Sequence, residues 1–204
     1  YALHDTALNP VLEDAALNPV SKKGQVRAAV NKAILKAVSD GRIEAMIARA
    51  PDFFGAEKIQ NSLLMNLIYN NFKKNKSAQW LCNADMPHSM GYTPELAKGT
   101  AMLGNTQDAY GQIWNLPVCA AAPTGREWAA LFAAEMQAKN KITVLPSWML
   151  KLLGIFIPVM GEIVEMKYQY DRPYIFDSSK FNQRFAYQPM SNEDAVKDVL
   201  RKLN

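Results

Sequence analysis

The stretch from Gly24 to Ala50 constrains the fold of this chain more than any other: GQVRAAVNKAILKAV, then SDGR, then IEAMIARA. Val26, Val30, Ala33, Ile34 and Ala37 recur at helical spacing and share a face, so Gly24–Val38 predicts an amphipathic helix. Gly41 supplies the stop, because a residue without a Cβ adopts the left-handed conformation that closes many helices. The apolar run Ile43–Ala50 predicts a buried strand, and Pro51 ends it because proline cannot donate to a strand ladder. A helix, a tight turn and a buried strand make half of a βαβ crossover, the connection that parallel strands require.

The alternation continues to the end of the chain. A helix is expected from about Lys58 to Phe72, a strand at AQWLCN, and a helix from about Pro94 to Leu103. Thr93 is its expected N-cap, with Pro94 at the first helical position. GQIWNLPV (Gly111–Val118) and KITVLP read as strands, separated by a helix that opens on the capping-box pair Thr124 and Glu127. Ser147 is the expected cap of a Met-rich helix, and the tail predicts a short strand, a one-turn helix and a last helix capped by Ser191. ALNPV occurs twice in the first twenty residues. Two copies of so short a unit describe two Asn-Pro turns in a surface loop, not a repeat architecture. Strands alternating with helices imply an α/β fold.

At 204 residues, with 49% apolar and 21% charged residues, the chain has room and composition for one sizeable globular domain or a little more. The net charge of +4 is dispersed, with no basic stripe interleaved with stacking aromatics, so nucleic acid is not an expected partner. Cys82 and Cys119 lack a CxxC context or a nearby His. A disulfide framework or zinc site is therefore not expected, and a cytoplasmic, reducing setting fits. His4 and His88 are too few for a His-based metal cage. The most apolar segment, Trp148–Met166, contains Lys151, Pro158, Glu162 and Glu165 and falls short of the roughly 20 apolar residues of a membrane span. It reads as a buried helix pair over a substrate, with an interfacial membrane helix as the alternative; membrane association is not the expectation.

No Gly-rich phosphate loop, GxSxG or HExxH occurs, so this chain does not itself supply a phosphate cradle. Two stretches stand out chemically. In NPVSKKGQVRAAV, Lys22, Lys23 and Arg27 crowd the start of a helix, where its dipole disfavours cations, and Lys23 and Arg27 share a face. Such a Lys has its charged form disfavoured and is suited to proton transfer. Alternatively the pair binds an anion at the helix N-terminus, or it is a solvated basic turn. In ARAPDFFG, Ala48–Gly55, a Pro-fixed turn with an Asp and two aromatics lies at the carboxyl end of the expected strand. Ligands bind at that edge of open α/β sheets, and a packed turn is the competing account.

Taken in order, these segments resemble the C-terminal part of an extended short-chain dehydrogenase/reductase of the NAD-dependent epimerase/dehydratase family. That family carries a Pro, a Tyr-Gly-x-x-Lys helix a few residues on, a strand ending in an Arg-x-x-(Asn/Asp)-aromatic-Tyr-Gly-Pro loop, and a Phe-x-Tyr-x-Asp-(Val/Leu)-Ala segment. The counterparts here are PVSKKGQVRAAV, RAPDFFG with Arg49, Asp52, Phe54 and Gly55, and HSMGYTPELAKG with Tyr92, Glu95, Leu96 and Ala97. GQIWNLP, PTGREW, VLPSWMLKLLG and DSSKFNQRFAYQP follow in the family's order.

The resemblance implies a partial Rossmann-type doubly wound sheet, made of the C-terminal strands, plus a small, mostly helical substrate-binding domain. Residues 1–55 would complete the dinucleotide-binding domain, and residues 56–204 would form the substrate-binding region interleaved with the last Rossmann strand and helix. It implies NAD or NADP as cofactor and a small carbonyl or nucleotide-sugar-type substrate. Lys23 would occupy the position of the catalytic Tyr and Arg27 that of the Lys, both also touching the cofactor. Ala50, Pro51, Asp52 and Phe53 would line the cofactor, and Phe54, Tyr92 and Trp148 the substrate. The implied partners are the N-terminal Rossmann half, on the order of 100 residues, and a second subunit through helix 24–38. Because Lys23 replaces the phenol, a catalytically inactive dinucleotide-binding or regulatory protein of the same fold is the alternative.

Overall fold

A computed structural model describes residues 9–154 and 164–203. Expectations for residues 1–8, which include the start of the first ALNPV, and for 155–163, in the middle of the apolar segment, lie outside the described residues. Seven α-helices and six short strands alternate along the described chain. They are α1 (Lys22–Ser39), β1 (Ile47–Arg49), β2 (Asp52–Phe54), α2 (Asn70–Lys73), β3 (Ala78–Leu81), β4 (Met90–Tyr92) and α3 (Thr93–Gly104), followed by β5 (Ile113–Asn115), α4 (Gly125–Met136), β6 (Ile142–Leu145), α5 (Ser147–Gly154), α6 (Ser179–Phe185) and α7 (Asn192–Leu203). The strands pair as β1–β5, β2–β4 and β3–β6, all parallel. Parallel pairs need crossover connections, and the intervening helices supply them. The α/β, Rossmann-type expectation holds.

Local chemistry accounts for most boundaries. Ser21 caps α1, its hydroxyl accepting from the Gly24 amide at 3.1 Å. Gly41 takes φ +68° just past the helix, as its stop role requires. Thr124 and Glu127 form both bonds of the capping box on α4, and the Ser191 hydroxyl accepts from the Asp194 amide at 3.1 Å to cap α7.

Four expectations need correction. The strand expected over Ile43–Ala50 shrinks to Ile47–Arg49 and is half-exposed. A parallel strand is buried when neighbours and helices cover it, and among the described residues β1 has one strand partner. The helix expected from Lys58 to Phe72 divides into a 3-10 turn, a π-wound stretch Met65–Tyr69 and α2. Asn side chains compete for its carbonyls: the Asn71 amide donates to Leu67 O at 2.8 Å and to Asn66 O at 3.4 Å. Tyr92, in extended backbone at the end of β4, is the N-cap residue of α3 instead of Thr93, whose hydroxyl donates to Glu57 Oε2 at 3.2 Å. Ser147 is the first residue of its helix, and its hydroxyl donates to Cys82 Sγ at 3.4 Å.

Three apolar clusters hold the elements. One packs Phe54, Met65, Trp80, Trp128, Phe132 and Val196, and a second packs Val11, Leu96, Trp114, Phe176 and Phe181. A small third cluster of Leu81, Leu150 and Tyr170 ties α5 to the end of β3. The expected apolar face of α1 remains largely uncovered: only Gly24 and Ala28 are buried, while Val26 is 65% and Val30 47% exposed.

Candidate functional site

The loop ARAPDFFG folds as β1, a two-residue link and β2. Its Arg49 guanidinium donates to the carbonyls of Glu13 (3.0 Å) and Leu12 (3.4 Å), which fastens the segment ahead of α1 to the end of β1. Ala50 and Phe53 are exposed and Pro51 is buried. The Ser62 hydroxyl donates to Phe53 O at 2.7 Å and closes the far side of the loop.

Asp52 carries the chemistry of this loop. Its Oδ2 accepts from the Tyr170 hydroxyl at 2.6 Å and lies 3.1 Å from His88 Nε2. His88 is 2% exposed, whereas a quarter of the Asp52 side chain (25%) faces outward. The imidazole stacks on Tyr170, with centroids 4.9 Å apart and planes 9° apart. Tyr174 packs on it at 4.8 Å and Trp80 meets it edge-on at 5.8 Å. Its backbone is equally fixed, with the His88 amide donating to Pro123 O and the Trp128 indole donating to His88 O, both at 3.0 Å. Burial pushes the Asp52 carboxyl up, but the hydrogen bond and charge of His88, joined by the Tyr170 hydroxyl, outweigh it and hold the carboxyl below its ordinary value.

Two of the residues expected to contact substrate lie behind this loop. Phe54 is fully buried, pairs in register with Tyr92, and packs against the rings of Tyr92 (5.6 Å) and Trp128 (5.2 Å). Tyr92 is 5% exposed. Its hydroxyl donates to Asp198 and accepts from Lys202 Nζ at 3.1 Å, fastening α7 to β4. Burial and then Asp198 push the Tyr92 phenol up, while hydrogen bonds from Lys202, Tyr92 and Arg201 hold the Asp198 carboxyl far below its ordinary value. Trp148 is the second residue of α5 and is 68% exposed. Leu150 of the same helix packs in the small cluster with Tyr170, which connects α5 to the Asp52 group.

Lys23 and Arg27 lie on the first two turns of α1, both exposed. That first turn has no acidic residue of its own. A carboxylate arrives from elsewhere in the chain: Glu165 Oε2 accepts from the Lys22 amide at 3.3 Å and offsets the cations at the helix start. Lys23 and Arg27 thus sit on a different element from Ala50–Phe54, and Arg49 links the two through Leu12 and Glu13.

His88, Tyr170 and Tyr174 are the residues that sequence inspection did not single out. The scarcity of histidine was the available signal, but no spacing relates position 52 to positions 88 and 170. A groove of about 610 Å³ at the opposite end of β5 is lined by Asp108, Gln112, Trp114, Lys180 and Arg184, among others. Its cations are already matched, Lys180 to Ile113 O (2.8 Å) and the Trp114 ring, and Arg184 to Asp108. The Asp52 group is therefore the better candidate. Among the described residues no three His, Cys, Asp or Glu side chains converge as a metal site.

No family model matches the sequence, and no curated protein matches it by sequence. Solved structures do match its fold. A Bacillus anthracis dTDP-glucose 4,6-dehydratase in complex with NAD superposes with a TM-score of 0.73 at 12% identity, over 94% of this chain and 54% of that one. A Pseudomonas aeruginosa protein, RMD, complexed with NADPH gives 0.71 at 11% identity, over 100% and 63%. A Bacillus cereus UDP-N-acetylglucosamine 4-epimerase gives 0.73 at 14% identity, over 100% and 62%. The chain thus spans less than two thirds of the length of each of these structures. At such identities the likeness is one of fold, and the chain has the Rossmann-type α/β fold that these epimerase and dehydratase structures share.

Proposed function

We propose that this chain is the C-terminal portion of an NAD(P)-dependent oxidoreductase or epimerase-like protein acting on a small carbonyl or nucleotide-sugar-type substrate. The observation that carries the proposal is the fold likeness, over nearly all of this chain, to proteins whose structures contain NAD or NADPH. When bound, the dinucleotide supplies or accepts a hydride. The exposed Ala50 and Phe53, with Pro51 and Asp52, lie just past the carboxyl end of β1 and suit the lining of its nicotinamide end. Lys23 takes the position of the usual phenol as proton donor or phosphate partner, and Arg27, one turn on, contacts the ribose or supports Lys23. Trp148 faces the substrate side, whereas Phe54 and Tyr92 shape the pocket from behind.

The phosphate cradle belongs to an N-terminal Rossmann half. Two observations favour that partner: β1 has one strand neighbour among the described residues, and Val26 and Val30 of α1 are open. A second copy meeting through residues 24–38 would use the same face. Among the described residues no helix is long and apolar enough to cross a membrane, and the proposal assigns the protein to the cytoplasm. The replacement of the phenol by Lys23 favours a second reading, a dinucleotide-binding protein without turnover.

Calorimetry on the complete gene product tests the first claim, with micromolar binding of NAD(H) or NADP(H) expected; binding of neither overturns it. Turnover that is lost in Lys23→Ala and kept in Lys22→Ala would exclude the inactive form.

A further inference from the structure

We propose that the amino-terminal edge of the β3–β6 pair is a docking surface for an acidic protein segment, held by Lys73, Lys74, Lys76, Lys139 and Lys141. The surface does not depend on the proposed function. It lies away from the Asp52 group, which meets the other end of β3, where the Asn83 amide donates to Tyr170 O at 3.2 Å. In the sequence the lysines fall in two distant runs, KKNK and KNK. The fold joins them. Asn75 (φ +54°) and Gln137 (φ +50°) are left-handed residues just past the ends of α2 and α4. Each chain then turns through its lysines into a strand, and the strands pair in parallel with Ala78 opposite Ile142. The Ala78 amide donates to Lys141 O at 2.9 Å, which sets the two runs side by side, about 4.8 Å apart where the ladder begins.

All five lysines are exposed. They fill five of the seven positions 73–76 and 139–141, with no carboxylate among them, in a chain whose net charge is only +4. Among the described residues none of the five makes an ion pair. Helix polarity accounts for Lys73, which lies in the last turn of α2 with its ammonium over the Tyr69 ring at 5.6 Å. That influence fades beyond the last turn, so it does not explain Lys76, Lys139 and Lys141. Like charges gathered without counterions repel, and a polyanion relieves the repulsion. The make-up of the patch selects among polyanions. Its cations are all Lys, and the neighbouring aromatics, Tyr69 and Phe72, are each 4% exposed, so neither a guanidinium nor a stacking face is offered to nucleic acid. No large apolar side chain is exposed in either run, so nothing inserts into a lipid surface. A row of carboxylates on a flexible protein segment needs only the mobile point charges that lysines present.

The test measures binding of a fluorescent deca-glutamate peptide to the complete gene product by anisotropy. Binding is expected at about 20 mM salt and should weaken at least about five-fold at about 200 mM, because exposed charges are screened. Lys76→Glu and Lys141→Glu should each weaken it about three-fold, and the double variant about ten-fold. Lys32→Glu, the same charge change at an exposed position on α1, should weaken it less than about two-fold. Urea unfolding of each variant should match wild type, since the substituted side chains are in solvent. No binding of the peptide, or a double variant that binds no more weakly than Lys32→Glu, overturns the inference. Two further probes decide the class of partner. A decamer of uridine RNA that binds more tightly than the peptide, or pelleting with phosphatidylserine vesicles that is lost in the double variant, also overturns it.

Discussion

Gly125→Ala examines whether the aromatic wall behind the Asp52 group is as rigid as it looks. Gly125 opens α4 beneath the ring of Trp80. A Cβ added there would lie 2.5 Å from Cδ2, 2.6 Å from Cε2 and 2.7 Å from Cγ of that ring. Carbon atoms attract best near 3.5–4.0 Å, so the overlap is about 1 Å. The ring has nowhere to go: Trp80 is 2% exposed and stands edge-on to His88 at 5.8 Å and Tyr170 at 6.5 Å. Overpacking of this kind costs about 1–3 kcal/mol, and the gain in helix propensity, at most about 1 kcal/mol, offsets part of it. A net loss of about 1–2 kcal/mol is expected. Gly104→Ala is the internal control, because nothing lies within 4 Å of its added Cβ and its backbone is not left-handed. It should be neutral or stabilise by up to about 1 kcal/mol. Urea unfolding followed by circular dichroism reads both. A Gly125→Ala protein as stable as wild type would refute the packing argument, and with it the claim that Trp80 braces His88 and Tyr170.

Two further outcomes follow from single contacts. Thr124→Ala removes one bond of the capping box and should lower stability by about 1 kcal/mol in the same urea assay. The Asp52 carboxyl lies below its ordinary value in the folded state, so its contribution is present above about pH 4 and is lost as pH falls through the folded value. Tyr170→Phe should therefore cost about 1.5–3 kcal/mol at neutral pH, with the gap to wild type closing in acid; a gap independent of pH would contradict the assignment.

Much of the architecture is legible in the residues because it depends on local chemistry. The Thr124–Glu127 and Ser191–Asp194 caps form between residues three apart. The left-handed Gly41 and the alternation of helix and strand likewise need only near neighbours. The misses share a cause. Thr93 has the composition of a cap, but β4 runs directly into α3 and puts Tyr92 in the extended conformation that a cap residue needs. The apolar run Ile43–Ala50 has strand character but shortens where neighbours do not cover it.

For the candidate site, the sequence alone determined where the strand breaks, because Pro51 cannot donate to a ladder and leaves Asp52 and Phe53 beyond the carboxyl end of β1. Only the tertiary structure decided which side chains Asp52 meets there. Parallel pairing of β2 with β4, and the return of the tail beside His88, bring positions 52, 88 and 170 within hydrogen-bond reach. Contacts across 36 and 118 residues follow from crossover topology, which no local spacing encodes. The same holds for the cations at the head of α1. Their crowding is plain in the sequence, and the carboxylate that offsets it, Glu165, lies 143 residues away.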